Sequence, residues 1–276
     1  MATVAEWLRA GDDLPGDSPR RDSEILLSHV LGKSRTWLYT WPESPVDTAH
    51  ATVLARLLQQ RRDGVPVAYL TGQREFWSLP LQVNKATLIP RPETETLVEW
   101  ALELVLPAAA AVLDLGTGSG AIALALASER ADWEVVAVDA SADALAIARA
   151  NGEQLCPGRV RFVQSDWFSA LPGNSWDLIV SNPPYVESDS PYLERGDLRF
   201  EPRGALVSGA SGLEDITRLA AAAPHHLRPG GWVLLEHGHR QGAAVRGLLQ
   251  AADLEQVITR CDLAGHERIT GARRAD

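Results

Sequence analysis

The chain has 276 residues, 45% of them hydrophobic and 22% charged, the composition of a globular protein with ample apolar material for a core. No apolar run approaches the roughly 20 residues that span a bilayer, and Met1 to Ala10 carries Glu6 and Arg9 rather than a basic stretch followed by an apolar one, so neither a membrane span nor a secretory leader is expected. The net charge of −10, with no Lys/Arg run longer than two, disfavours a partner gripped along its phosphate backbone, and the two distant cysteines, Cys156 and Cys261, suit a reducing cytoplasmic setting rather than a disulfide framework or a zinc site.

The chain begins with helical spacing. Thr3 to Ala10, Pro19 to Leu31 and Val46 to Arg62 each repeat apolar residues with a helical period, and Ser18 is placed to cap the helix opened by Pro19. Residues 75–83 change to apolar and aromatic residues flanking Ser78 to Pro80, which predicts a short hairpin. A helical domain over 1–74, a hairpin linker over 75–90 and a larger domain over 91–276 follow. In the larger domain, Pro92 opens a helix over Glu93 to Leu106. Strands are expected at Ala111–Leu115, Glu134–Asp139, Val160–Ser165, Trp176–Ser181 and Gly231–Glu236, with two more at Gln256–Thr259 and Glu267–Gly271. Helices are expected at Ala121–Glu129, Ala142–Asn151, Leu213–His226 and Gln241–Ala252. Alternation of this kind gives a largely parallel α/β sheet covered by helices on both faces. Val186 to Gly212 has no clear period, and a loop of that length beside a site is expected to face the substrate.

Leu113-Asp114-Leu115-Gly116-Thr117-Gly118-Ser119-Gly120 follows a strand and opens a helix, where glycines allow a sharp turn and close approach of a ligand to main-chain atoms. Gly116-x-Gly118-x-x-Ala121 also fits a dinucleotide fingerprint, so this turn alone does not separate NAD from S-adenosylmethionine. The third glycine favours the methyltransferase form, and Asp114 suits a cation better than a pyrophosphate. Asp139, ending the second strand, is placed to accept from both ribose hydroxyls. Asp166 is placed to accept from an adenine amino group, with Trp167 against the ring; the plainer reading is a turn cap and a core edge.

Ser181-Asn182-Pro183-Pro184-Tyr185 follows the fourth strand. Asn182 and Pro183 both precede prolines, which holds the turn extended, and the prolines lack an N–H. An amide or aromatic amine nitrogen is a weak nucleophile because its lone pair is delocalised. Two neutral acceptors, the Asn182 side-chain oxygen and the Pro183 carbonyl, suit its two N–H groups, and Tyr185 suits stacking on a flat target facing a sulfonium. Glu236-His237-Gly238-His239 brings two histidines to one side of a strand end, but no third ligand has suitable spacing, so a structural or surface role is expected rather than a metal site.

At these residues the sequence closely resembles the bacterial protein-glutamine methyltransferases known as PrmC or HemK. The resemblance extends over Pro66 to Gly72, Glu75-Phe76-Trp77, Leu88 to Glu95, Asp114 to Gly120, Gln164 to Phe168, Asn182 to Tyr185 and Arg199 to Pro202. It implies a helical N-terminal domain and a seven-stranded Rossmann-like methyltransferase domain. It further implies S-adenosylmethionine as cofactor and methylation of the Gly-Gly-Gln glutamine of class 1 peptide chain release factors as activity. Cofactor contacts are expected from Gly116, Thr117, Gly118, Ser119, Gly120, Asp139, Asp166, Trp167 and Asn182, and target contacts from Asn182, Pro183, Pro184 and Tyr185. A ribosomal-protein glutamine methyltransferase is the nearer alternative. A DNA adenine methyltransferase shares the Asn-Pro-Pro-Tyr chemistry but wants a basic cleft for a flipped base, and an NAD oxidoreductase leaves Asn182 to Tyr185 without a role.

Overall fold

Caps and apolar spacing account for the N-terminal helices. In the computed structural model, which describes residues 1–171 and 176–276, α1 (Val4–Arg9) opens on a capping box: Glu6 N–H donates to Thr3 Oγ1, and Thr3 N–H donates to the Glu6 carboxylate. After it come α2 (Pro19–Leu31), α3 (Arg35–Thr40), α4 (Thr48–Arg62) and α5 (Val67–Thr71). Ser34 caps α3 and Asp47 caps α4 through their side chains. Ser18, expected to cap α2, makes no such bond; its ψ of 61° departs from the extended geometry that aims a capping oxygen at the first turn. Val4, Leu8, Leu26, Leu27, Leu54 and Leu58 bury together as the core of these helices.

This helical unit comprises Met1–Gln73 and, from much further along the chain, Pro191–Phe200. The later segment joins it through Arg61, which is buried near the end of α4. Arg61 Nε donates to Asp22 at 2.8 Å, Nη1 to Asp197 at 3.0 Å and Nη2 to the Pro15 carbonyl at 2.9 Å. Burial pushes the Asp22 carboxyl up even against its Arg61 partner.

The second unit comprises Arg74–Ser190 and Glu201–Asp276. The hairpin expected as a linker therefore belongs almost wholly to it: β1 (Gln73–Phe76) and β2 (Leu79–Gln82) turn at Trp77 and Ser78, both at positive φ, and Phe76 and Leu81 are buried in its core. A 3-10 turn, Pro92–Thr94, leads into α6 (Glu95–Glu103). The alternating elements follow as β3 (Ala111–Leu115), α7 (Ala121–Glu129), β4 (Glu134–Asp139), α8 (Ala142–Leu155), β5 (Val160–Gln164), β6 (Trp176–Ser181), α9 (Glu214–His226), β7 (Leu227–Glu236), α10 (Gly242–Ala251), β8 (Glu255–Cys261) and β9 (Glu267–Arg273). Between β6 and α9 lie 3-10 turns and an isolated bridge from Val186 to Val207. No helix among the described residues is long and apolar enough to cross a membrane.

The seven strands run in the order β5-β4-β3-β6-β7-β9-β8, with β9 antiparallel to both its neighbours. Every residue of β3 is buried, as expected for a central strand covered on both faces. One core layer includes Phe76, Trp100, Leu124 and Leu178; the other includes Leu113, Ile179, Leu219 and Leu249. From β3 the chain winds outward through β4 and β5, then returns to β6 on the opposite side of β3. The ends of β3 and β6 therefore flank a topological switch point, where open α/β sheets place their ligands.

Candidate active site

The register of the sheet aligns the expected residues. Leu115 pairs with Val138 on one side and Ser181 on the other, and Asp139 pairs with Gln164, so the turns after β3, β4, β5 and β6 leave from one edge. The Ser181 hydroxyl donates to the Leu115 carbonyl at 2.7 Å and fixes the start of the Asn-Pro-Pro turn against the glycine turn.

Gly116, Gly118 and Gly120 all have positive φ, a conformation in which a side chain is strained. The amides of Gly116 and Thr117 donate to the Val138 carbonyl, and Gly118 N–H donates to Asp139 Oδ2 at 2.9 Å. Asp139 Oδ1 accepts from Ser141 N–H, also at 2.9 Å. The carboxylate is thus fixed by two backbone amides, with lone pairs remaining for a ligand. Asp114 lies beneath the turn, wholly buried. One of its oxygens accepts from the Thr117 hydroxyl and Ala123 N–H while Oδ1 has no partner, and desolvation raises its pKa to about 7.

A cleft of about 480 Å³ opens at this edge, lined by Gly116, Gly118, Asp139, Asp166, Trp167 and Asn182 among others. Thr117, Ser119 and Gly120 do not line it. They shape the turn from below: the Ser119 carbonyl accepts from buried Asn151, and Gly120 packs against Leu124 and Ala148. Trp167 adopts a φ of 50° and lies over Gly116, where an added Cβ would meet its ring at 3.3 Å; its Nε1–H donates to Asp215 at 3.2 Å. Exposed Asp166 pairs with Arg218 at 3.3 Å. Asp215 and Arg218 also line the cleft. Sequence reasoning missed both because they occupy the first turns of an ordinary amphipathic helix, α9, and only the tertiary fold sets them beside Trp167. Leu88 and Pro202, which lie in stretches that carry the family resemblance, line the cleft too.

Those two stretches meet. Glu201, with no exposed side-chain area, forms an ion pair with Arg91 and accepts Ile89 N–H at 3.0 Å. This sets the 3-10 turn that presents Thr94 to Asn182, whose Nδ2 donates to Thr94 Oγ1 at 3.2 Å. Pro183 is buried, while Pro184 lines the cleft with Asn182. Tyr185 is not part of that lining. Its ring packs on the second core layer, its hydroxyl donates to Glu236 at 3.3 Å, and its carbonyl accepts from Gln241, which also bonds Gly212. Burial and the neighbouring Glu236 carboxyl push the phenol pKa up, so Tyr185 stays protonated and is not a base at neutral pH. His237 is buried with both ring nitrogens engaged, Nδ1 with the Gly238 carbonyl and Nε2 with Thr270.

This sheet, with its cleft at the switch point, is a methyltransferase fold. The crystal structure of a methyltransferase from Pyrococcus furiosus superposes with a TM-score of 0.55 at 19% identity, over 72% of this chain and 90% of that one. Residues 94–194 match the methyltransferase small domain, which implies a methyl donor of the S-adenosylmethionine type. Residues 9–72 match the PrmC N-terminal domain. The release factor glutamine methyltransferase of Salmonella typhimurium is 54% identical over 93% of both chains, and that of Escherichia coli K12 is 50% identical over 97% of both. The chain belongs to the family of release factor glutamine methyltransferases.

Proposed function

We propose that the chain transfers a methyl group from S-adenosylmethionine to the side-chain amide nitrogen of the glutamine in the Gly-Gly-Gln motif of class 1 peptide chain release factors, in the cytoplasm. The observation that carries this reading is the Asn182 amide. Its nitrogen is committed to Thr94, so its oxygen is left for an N–H of the target, on the same cleft edge as Asp139 and the glycine turn.

The residues present fit the cofactor. Asp139 retains acceptor capacity for ribose hydroxyls, the open space at Gly118 admits a ligand against the backbone, and Trp167 offers a flat wall beside Asp166 for a purine. When bound, S-adenosylmethionine supplies an electrophilic methyl carbon on a sulfonium. The chain's own contribution is positioning and electrostatics. Asn182 Oδ1 and the Pro183 carbonyl accept the two amide hydrogens and favour the positive charge that builds on the nitrogen, and Tyr185 closes the back of the turn. No strong base is needed before transfer, because the methylated, cationic amide releases its proton readily. The helical unit and the Val186–Gly212 loop are assigned to recognition of the release factor.

The test is mass spectrometry of a class 1 release factor after incubation with the enzyme and isotopically labelled S-adenosylmethionine. One labelled methyl on the Gly-Gly-Gln glutamine is expected. Label on a ribosomal protein but not on the release factor would overturn the assignment.

A further inference from the structure

Trp167 holds a backbone conformation that a bulky side chain rarely takes. Its φ of 50° lies in the left-handed region, where residues other than glycine are strained, and such strain persists only where the surroundings impose it. Three contacts hold the residue. Its carbonyl accepts the Ser165 hydroxyl at 2.7 Å. The outer edge of its six-membered ring lies over Gly116, and its Nε1–H donates to Asp215 Oδ1 at 3.2 Å. The contact over Gly116 limits how closely the ring approaches the turn but leaves its tilt open. The N–H bond is directional and sets that tilt.

An indole N–H only donates and a carboxylate only accepts, so this bond runs one way. Asp215 is itself fixed. The Ser208 hydroxyl donates to its Oδ2 at 2.8 Å and accepts its backbone N–H at 2.8 Å. Ser208 is 2% exposed, and its own N–H donates to the Val186 carbonyl at 3.0 Å. One oxygen of Asp215 is thus anchored while the other holds the ring. Arg218, 3.9 Å from Oδ1 and more than half exposed, adds a solvent-screened charge at a distance too long for a hydrogen bond. Both Trp167 and Asp215 line the cleft, and the proposed mechanism gives Asp215 no task. We infer that Asp215 is a positioning residue for cofactor binding, which through its bond to Nε1 holds the Trp167 ring in place as a wall of the cleft before the cofactor arrives. A ring free to turn would form that wall only part of the time, and the apparent affinity would fall by that fraction.

The inference rests on the proposed reading of Trp167 as a cofactor contact, and calorimetric titration of the full chain with S-adenosylmethionine separates the two. Trp167→Ala tests the contact. Asp215→Ala deletes the acceptor, Asp215→Asn keeps an acceptor oxygen for the indole, and Trp167→Phe keeps a flat ring without its N–H. Asp215→Ala is expected to weaken the cofactor about fivefold or more, as for a ring in place a fifth of the time or less. Asp215→Asn is expected to return to within about twofold of wild type. Both variants lose the charge, so that recovery assigns the effect to the hydrogen bond. In a Trp167→Phe background, Asp215→Ala is expected to cost less than about twofold more, because the bond is already gone. An equal loss in both backgrounds overturns the inference, since Asp215 would then act without the indole N–H. Asp215→Ala or Trp167→Phe at wild-type affinity overturns it too, as does an Asn variant as weak as the Ala variant. Where Asp215→Ala fails to fold, Trp167→Phe decides alone, with the same fivefold loss expected. Trp167→Ala at wild-type affinity removes Trp167 from the cofactor site, and the inference falls with that reading. A weakened Trp167→Ala beside an unaffected Asp215→Ala leaves the reading of Trp167 standing and ends the inference alone.

Discussion

Asn182 and Asp139 both line the cleft, and single substitutions separate the roles proposed for them. In the proposed mechanism Asn182 meets the target nitrogen, so its worth there lies mainly in the transition state. Asn182→Ala is expected to cut the single-turnover rate by about a hundredfold or more, the scale of losing one preorganised electrostatic partner. Cofactor affinity should change far less, and circular dichroism should show an intact fold, because Ser181, Pro183 and Pro184 hold the turn. Near-normal transfer by the folded variant contradicts the mechanism. Asp139→Ala is expected to weaken S-adenosylmethionine by roughly 1.5–3 kcal/mol, the range for hydrogen bonds to a charged group. Because Asp139 also holds the amides of Gly118 and Ser141, part of that loss comes from a loosened turn. Unchanged affinity by calorimetry would remove Asp139 from the site.

Among the elements, the strands were the most legible. Ala111–Leu115, Glu134–Asp139 and Trp176–Ser181 form where their apolar runs end, since a buried parallel strand is read directly from its run of β-branched and aliphatic residues. The loop after Tyr185 was legible only as a lack of period. In the structure it returns at Gly212 to the residue it left: Gln241 ties Gly212 and Tyr185 carbonyls together, Gly212 has a φ of 73°, and a Cβ there would stand 2.5 Å from the Tyr185 carbonyl oxygen. That neighbour is backbone and cannot swing aside. Gly212→Ala is therefore expected to displace Tyr185 and slow methyl transfer at least about tenfold, since a displacement near 1 Å at a positioning group costs on this order or more. Cofactor affinity should hold, because Asp139 and the glycine turn lie on other strand ends. A variant with full activity would show that Tyr185 need not be fixed.

For the whole molecule, two predictions concern stability. Removing Arg61 strands Asp22 and Asp197 and three carbonyls that it serves. Arg61→Leu is expected to destabilise the helical unit by about 3 kcal/mol, the scale of breaking a buried ion pair from one side. Limited proteolysis should then open Pro191–Phe200, while cofactor affinity stays unchanged. Cleavage no faster than wild type would deny that Arg61 holds the segment. The second prediction follows from the raised acids. Burial lifts the Glu236 pKa from 4.5 to about 7, so the folded state keeps a proton that the unfolded chain releases between those values. Its cost is absent below pH 4.5, grows as pH rises and is complete above about 7. Asp114 acts in the same sense, while His226 and His237, whose pKa values burial lowers, act in the opposite one. The informative quantity is therefore a difference between variants. Relative to wild type, Glu236→Gln is expected to gain stability as pH rises from 5 to 8, by up to about 3 kcal/mol. Urea titrations giving the same difference at both pH values would mean that Glu236 is ionised throughout.

Alone, the sequence determined the bounds of β3, β4 and β6 and the place of the glycine turn, Asp139 and the Asn-Pro-Pro-Tyr turn at their ends, because each is local: a run of apolar residues, a positive φ that glycine tolerates, a proline that dictates the residue before it; it missed the first four residues of β7. It also determined the helical beginning of the chain, though not that Ser18 would leave α2 uncapped. Only the tertiary structure decided that Pro191–Phe200 belongs with the first 73 residues, that Asp215 and Arg218 stand at the cleft, that Tyr185 turns its hydroxyl to Glu236 instead of lining the cleft, and that Arg91 and Glu201 meet across 110 residues of chain. These are pairings between residues distant in sequence. No period or motif encodes which buried donor will find which buried acceptor; that is settled when the sheet register brings the strand ends together and burial forces each polar group to take a partner.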